Sequence, residues 1–216
     1  MISDLWSARE IFRGRLGPDE DITWYGQPKT SVLFNAHDIF LIPFSLLWGG
    51  FALYWEGSVI AALLRGEEKA RNGGDLLEFS IFGAVMVLIG LYFVVGRFFG
   101  KRWLKRHTHY IVTGERAVVL VAVRTGRILS LDLNDLTALK KSVGQDGVGT
   151  IWLGKRSLWT GNQDNTGLEV LGYFLTSRQK PPPVFYDIAD ADRVYELIND
   201  MTRERRNARL GALERR

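Results

Sequence analysis

The chain has 216 residues, a formal net charge of +4 and no cysteine, which excludes disulfides, thiolate metal sites and cysteine nucleophiles. The positive charge collects in Arg97–Arg106 and in the Arg-rich end beyond residue 203, instead of spreading over a folded face, which argues against nucleic acid as the partner. The mean hydropathy of −0.03 hides a strong asymmetry: the apolar residues concentrate between positions 39 and 95, and both ends of the chain are polar.

Residues 1–36 read as a polar N-terminal segment. It is acidic as well as basic and has no apolar stretch ahead of a small-residue cleavage site, so it is no signal peptide. The first apolar run, IFLIPFSLLWGGFALYW (39–55), carries no charge. At ~1.5 Å per residue it spans roughly 25 Å, close to the ~30 Å of a bilayer's hydrocarbon core. A first transmembrane helix is therefore expected over 37–57, with Pro43 in its first turns, where a missing N–H costs little, and Glu56-Gly57 as its break. The apolar SVIAALL beyond either extends the helix or lies along the interface. Residues 58–77 are expected as an external loop.

The second run, FSIFGAVMVLIGLYFVVG (79–96), is flanked by Glu78 and Arg97 and predicts a transmembrane helix over 78–97. Gly50 and Gly57, like Gly83 and Gly90, are two turns apart and share a face, so these pairs would let the helices approach closely. Trp55 and Trp103, with Trp48, Tyr54 and Tyr92, suit an interfacial aromatic belt. Five cations follow within ten positions: Arg97, Lys101, Arg102, Lys105 and Arg106. The intervening loop has three Lys/Arg against four acids after Gly57. Lys/Arg excess marks the cytoplasmic side, which predicts a multi-pass protein of the cell (inner) membrane with both termini cytoplasmic. The same cluster is a candidate contact for anionic phospholipid headgroups, at ~1 kcal/mol per cation near the surface.

Beyond the cluster the period changes. Residues 109–113, 117–123 and 127–133 are β-prone runs separated by Gly114-Glu115 and Thr125-Gly126, which predicts an antiparallel meander. LNDLTALKKSV reads as a turn or irregular strand. Strands are expected over 150–153 and 168–175, with an extended VFYDI (184–188). From Asp190 or Asp192 as cap, Val194, Leu197, Ile198 and Met201 give the apolar face of a helix. The stretch 205–216 is expected to be a disordered basic tail. The fold class is α+β: a two-helix transmembrane hairpin, then a small antiparallel β-barrel or sandwich over 98–204 capped by a C-terminal amphipathic helix.

Chemistry-bearing patterns are few. His107 and His109 share a face if the strand begins that early, but no carboxylate spacing completes a metal site, and His37 stands apart; no metal is expected. GQDGVGT (144–150) lies between β-prone runs and lacks the lysine of a phosphate loop, so it reads as a hairpin turn. GNQDNTG lacks the spacing of a calcium loop. Asp132, Asp135 and Asp187 have no visible acid–base partner, so solvated or capping roles suffice for them. No catalytic constellation and no cofactor are expected.

The ordered pieces WYGQP (24–28), GRFF (96–99), THYIVTGERAVVL (108–120), LDLNDL (131–136), GVGTIWLG (147–154) and VFYDIADADRVYELI (184–198) together resemble a family. It comprises bacterial membrane proteins in which a pleckstrin-homology-like domain follows a two-helix hairpin. The resemblance implies a PH-like barrel on the cytoplasmic face. The function expected is that of a non-enzymatic membrane protein whose PH-like domain serves as a protein-interaction or assembly module. It would act near anionic headgroups, within a homo-oligomer or beside another membrane protein. The alternatives are a membrane-bound enzyme in which His107, His109 and basic side chains handle a phosphate, or a transporter subunit; the latter would need oligomerisation, since two helices without intramembrane charge form no polar pathway alone.

Overall fold

A computed structural model describes residues 2–34, 38–67, 75–123, 126–155, 165–168, 170 and 183–214. In chain order the elements are α1 (Ile2–Ile11), β1 (Ile22–Gly26), α2 (Asp38–Leu64), α3 (Leu76–Leu91), a π-helical turn (Tyr92–Gly96) and α4 (Arg97–Arg106). There follow β2 (Thr108–Thr113), β3 (Arg116–Val121), β4 (Arg127–Asp132), a 3-10 turn (Leu133–Asp135), β5 (Leu139–Val143), β6 (Gly149–Leu153), β7 (Val184–Ile188) and α5 (Ala191–Leu213). The chain divides into two units. One holds residues 33–101 with 165–170, the other residues 1–32, 102–164 and 171–216.

The helical unit contains α2 and α3. The 27 residues of α2 and the 31 of the continuous stretch Leu76–Arg106 are each long and apolar enough to cross a membrane. Their apolar side chains point outward: Phe40 is 78% exposed and Leu47 76%. The expected break at Glu56-Gly57 does not occur. Helix α2 runs on to Leu64 and stops where Gly66 takes a left-handed φ of +79°, with Glu67 N–H bonding back to the Ala62 carbonyl at 3.2 Å. Asp75 caps α3, its carboxylate accepting from Leu77 N–H at 2.8 Å.

The two helices pack through small side chains. Buried Ser45 and Ala52 lie on one side and buried Gly83 and Gly90 on the other. A Cβ on Gly90 would sit 3.1 Å from the Gly49 Cα, closer than ordinary contact, so glycine here lets the helices cross tightly. The expected pairing is half right. Gly83 and Gly90 form the α3 seam, but Gly50 and Gly57 face open space, and Gly49 serves on α2. A 3.6-residue period turns positions 50 and 57 away from the seam that contains 45, 49 and 52.

In the β unit, β1–β2–β3–β4 form one antiparallel sheet and β5–β6–β7 another. These are two sheets and not the closed barrel that was one of the two expectations. Between β4 and β5 the ladder is interrupted by the 3-10 turn, capped by Asp132 accepting from Asn134 N–H at 2.8 Å. One core is shared by Tyr110, Val112 and Val119 of the first sheet, Ile151, Leu153 and Phe185 of the second, and Val194 and Ile198 of α5.

The first sheet is also covered on its other face, where Phe12, Ile111, Val118 and Leu120 cluster with Ile11, Leu16 and Ile22. Burial on both faces explains why YIV and AVVLV do not alternate. It also brings the N-terminal segment into the fold as a helix and an edge strand. The Gly114-Glu115 turn joins β2 to β3, and GQDGVGT turns β5 into β6, as expected, with Gly147 at φ +74°. The strand expected over 168–175 lies largely outside the described residues; Leu168 itself is in a turn.

Helix α5 continues to Leu213, so the tail expected to be disordered from 205 is helical as far as that residue. Its Arg, Ala, Leu and Glu residues are strong helix formers. Asp190 occupies the N-cap position without a side-chain cap bond, and Asp192 instead meets Lys141 Nζ at 2.7 Å.

Candidate functional site

The five cations of the basic cluster have different environments, because a helix distributes residues over its whole circumference. Arg97, Lys101 and Lys105 recur every fourth residue on the buried side of α4, at 1%, 3% and 5% exposure. Arg102 and Arg106 are exposed, with Trp103 between them at 39%.

Each buried cation has internal partners. In the helical unit, Arg97 Nη1 donates to Asp38 Oδ1 at 2.6 Å, and the guanidinium lies 4.4 Å from the centre of the Phe98 ring. Lys101 Nζ donates to the Leu33 carbonyl at 2.8 Å. In the β unit, Lys105 Nζ donates to Asp187 Oδ2 and the Val32 carbonyl, both at 2.5 Å, and to the Lys29 carbonyl at 3.2 Å. Buried charges persist only when paired and hydrogen-bonded; Arg97 and Lys105 are paired with carboxylates and Lys101 and Lys105 are held by backbone carbonyls, whereas Nε and Nη2 of Arg97 make no hydrogen bond among the described residues. Asp187, for which a solvated or capping role sufficed from sequence, is buried and pairs with Lys105, at a left-handed φ of +50°.

The exposed cationic surface is therefore narrower than the cluster. Within the β unit it consists of Arg102, Trp103 and Arg106 on the outward side of α4. His107 extends it: Nδ1–H donates to the Trp103 carbonyl at 2.8 Å, and the two rings lie 4.9 Å apart. Trp55 is 40% exposed on α2 beside Phe51 and Phe79.

The histidines do not share a strand face, since β2 begins at Thr108 and His107 belongs to the turn before it. His109 is half-buried, and its Nδ1 lies 2.9 Å from both Tyr25 Oη and Gln27 Nε2. Burial, and then the nearby charge of His107, push the His109 pKa below its ordinary value. Among the described residues no group of three or more His, Cys, Asp or Glu could hold a metal ion. His37 lies outside the described residues.

A third ion pair anchors the N-terminal segment to the first sheet. Glu20 accepts from Arg116 Nε and Nη2 at 2.9 and 2.8 Å, from Thr113 Oγ1 at 2.7 Å and from Gly17 N–H at 2.9 Å. The Arg116 hydrogen bond, above all, holds the Glu20 carboxyl at about 2. Beside β1 runs a groove of about 550 Å³, lined by Trp24, Tyr25, Gln27, Ile188, Arg193 and Leu197. The period-four spacing of 97, 101 and 105 was visible in the sequence, but their acidic partners lie 59 and 82 residues away. No family model, curated protein or solved structure matches this chain.

Proposed function

We propose that this chain is a non-enzymatic integral membrane protein anchored by α2 and α3. Its β unit, of the PH-like kind that the sequence resembles, serves as a protein-interaction and assembly module beside anionic phospholipid headgroups. Both termini lie on the cytoplasmic side of the cell (inner) membrane. The observation that carries this is the sorting of cations along α4. Three are used internally, whereas Arg102 and Arg106 flank an exposed Trp103 immediately after an apolar span. Arginine and tryptophan together suit the headgroup layer, and two cations contribute ~2 kcal/mol there. The large apolar side chains exposed along α2 and α3 support the anchor, since such surfaces are normally covered.

Native mass spectrometry of the detergent-extracted full chain tests the headgroup contact. Wild type retains anionic phospholipid, and Arg102→Ala/Arg106→Ala retains several-fold less; equal retention refutes the contact. Crosslinking in intact membranes from a photoreactive residue at position 27, on the rim of the groove beside β1, tests the assembly role. Recovery of the uncrosslinked monomer alone counts against it.

A further inference from the structure

Strand β1 is an outer strand of its sheet, with β2 as its neighbour. The register slips between Ile22 and Trp24, which leaves Thr23 in a bulge. Beyond the strand, Lys29 N–H donates to the Asp187 carbonyl at 2.7 Å, tying the chain to the second sheet and ending the open edge. The groove of about 550 Å³ beside β1 runs along this edge. Every residue from Thr23 to Gln27 lines it, although successive side chains of a strand point to opposite faces, so the groove follows the backbone edge and not one face of the sheet. Its other wall is Ile188 with the start of α5. Trp24 supplies an aromatic surface: the indole stacks on Phe185, ring centres 5.7 Å apart, and lies back across Gly26, where a Cβ would meet it at 2.5 Å. On the α5 side Leu197 is apolar, and Asp190 and Arg193 are exposed. Neither of these two charges has a side-chain hydrogen bond or ion pair among the described residues.

We propose that this groove takes an extended segment of a partner protein as an added strand on β1, which deepens the interaction role proposed above and rests on it. An outer strand offers a row of backbone donors and acceptors to another strand, and side-chain pockets beside it set the specificity. The strand has five residues, enough at ~3.3 Å each to register about five residues of the incoming segment. Asp190 and Arg193 give the groove one charge of each sign at the beginning of α5. Residues two apart in a strand share a face at ~6.6 Å, so a segment with an acid and a base at that spacing meets Arg193 and Asp190 together, while apolar neighbours meet Trp24 and Leu197. A second copy of this chain fits less well. Its β1 is walled by its own α5, and two such edges reach the ~4.8 Å spacing of paired strands only if both helices move aside.

The test is fluorescence anisotropy on the full chain in phosphatidylcholine nanodiscs. The probe is a fluorescein-labelled peptide, Ser-Thr-Val-Asp-Val-Lys-Val-Thr-Ser. One twin has glutamine in both charged places, and another is N-methylated throughout and lacks the donors of a strand ladder. Wild type binds the charged peptide several-fold more tightly than the glutamine twin and does not bind the N-methylated one. Asp190→Asn/Arg193→Gln, at exposed positions, still binds but loses the preference. Equal binding of the charged peptide and either twin, a preference that survives in the double variant, or no binding of any peptide overturns the proposal. Since the chain has no cysteine, Thr23→Cys adds a clean crosslink: a disulfide-linked homodimer in intact membranes makes a second copy the occupant and overturns it as well. If crosslinking from position 27 recovers a partner protein while no peptide binds, the interaction role stands and strand addition on β1 is refuted.

Discussion

Replacing Glu20 by glutamine removes the charge that ties the N-terminal segment to the first sheet. Its carboxyl is held at about 2 against an ordinary 4.5, chiefly by the Arg116 hydrogen bond. That difference corresponds to ~3 kcal/mol at ~1.4 kcal/mol per pH unit. The Arg116 side chain is 30% exposed, so solvent screens part of the interaction, and ~1.5–2 kcal/mol is the expected contribution. The sign follows from the depressed value. The stabilisation is complete above pH 4.5 and is lost as pH falls toward 2, with more than half gone by pH 3. Chemical unfolding of the full chain in detergent micelles, followed by tryptophan fluorescence, gives the comparison. Glu20→Gln is less stable than wild type by ~1.5–2 kcal/mol at pH 7 and by under ~1 kcal/mol at pH 3. A gap that is the same at both pH values, or absent at pH 7, refutes the assignment of the shift to this pair.

Three further outcomes follow from the packing. Asp38→Asn leaves the buried Arg97 charge without its carboxylate and costs ~3–5 kcal/mol, whereas the double replacement Asp38→Leu/Arg97→Met costs less; thermal melts of the three proteins in micelles measure this difference. Gly90→Leu drives a side chain into the Gly49 backbone and costs ~1–3 kcal/mol, read as a lower melting temperature, while Gly50→Leu, at a position facing open space, does not. The His109 imidazole titrates below its ordinary value by NMR, and His107→Gln moves it upward by removing the nearby charge. Since the unfolded chain binds that proton more readily, the His109 contribution to stability falls as pH drops through this range.

The sequence by itself determined the elements that local pattern controls. Uninterrupted apolar runs marked the two long helices, glycine-containing turns marked the β2–β3 and β5–β6 connections, and the 194–197–198–201 spacing marked the face of α5. These signals lie within one helical turn or one hairpin, so neighbouring residues carry them whole. The tertiary structure decided what depends on distant partners. It placed Ile22–Gly26 as an edge strand against β2 and packed Phe12, Leu16 and Ile22 over the outer face of the first sheet. It separated Arg97, Lys101 and Lys105 from Arg102 and Arg106, because burial depends on Asp38, Asp187 and the carbonyls of residues 29, 32 and 33, none of which is close in sequence. It also carried α2 through Glu56, where a charge that reads as the end of a span is accommodated by a hydroxyl and a glycine on the facing helix. A lone charged residue ends an apolar run in a sequence, but whether it ends the helix depends on what the neighbouring helix places opposite it.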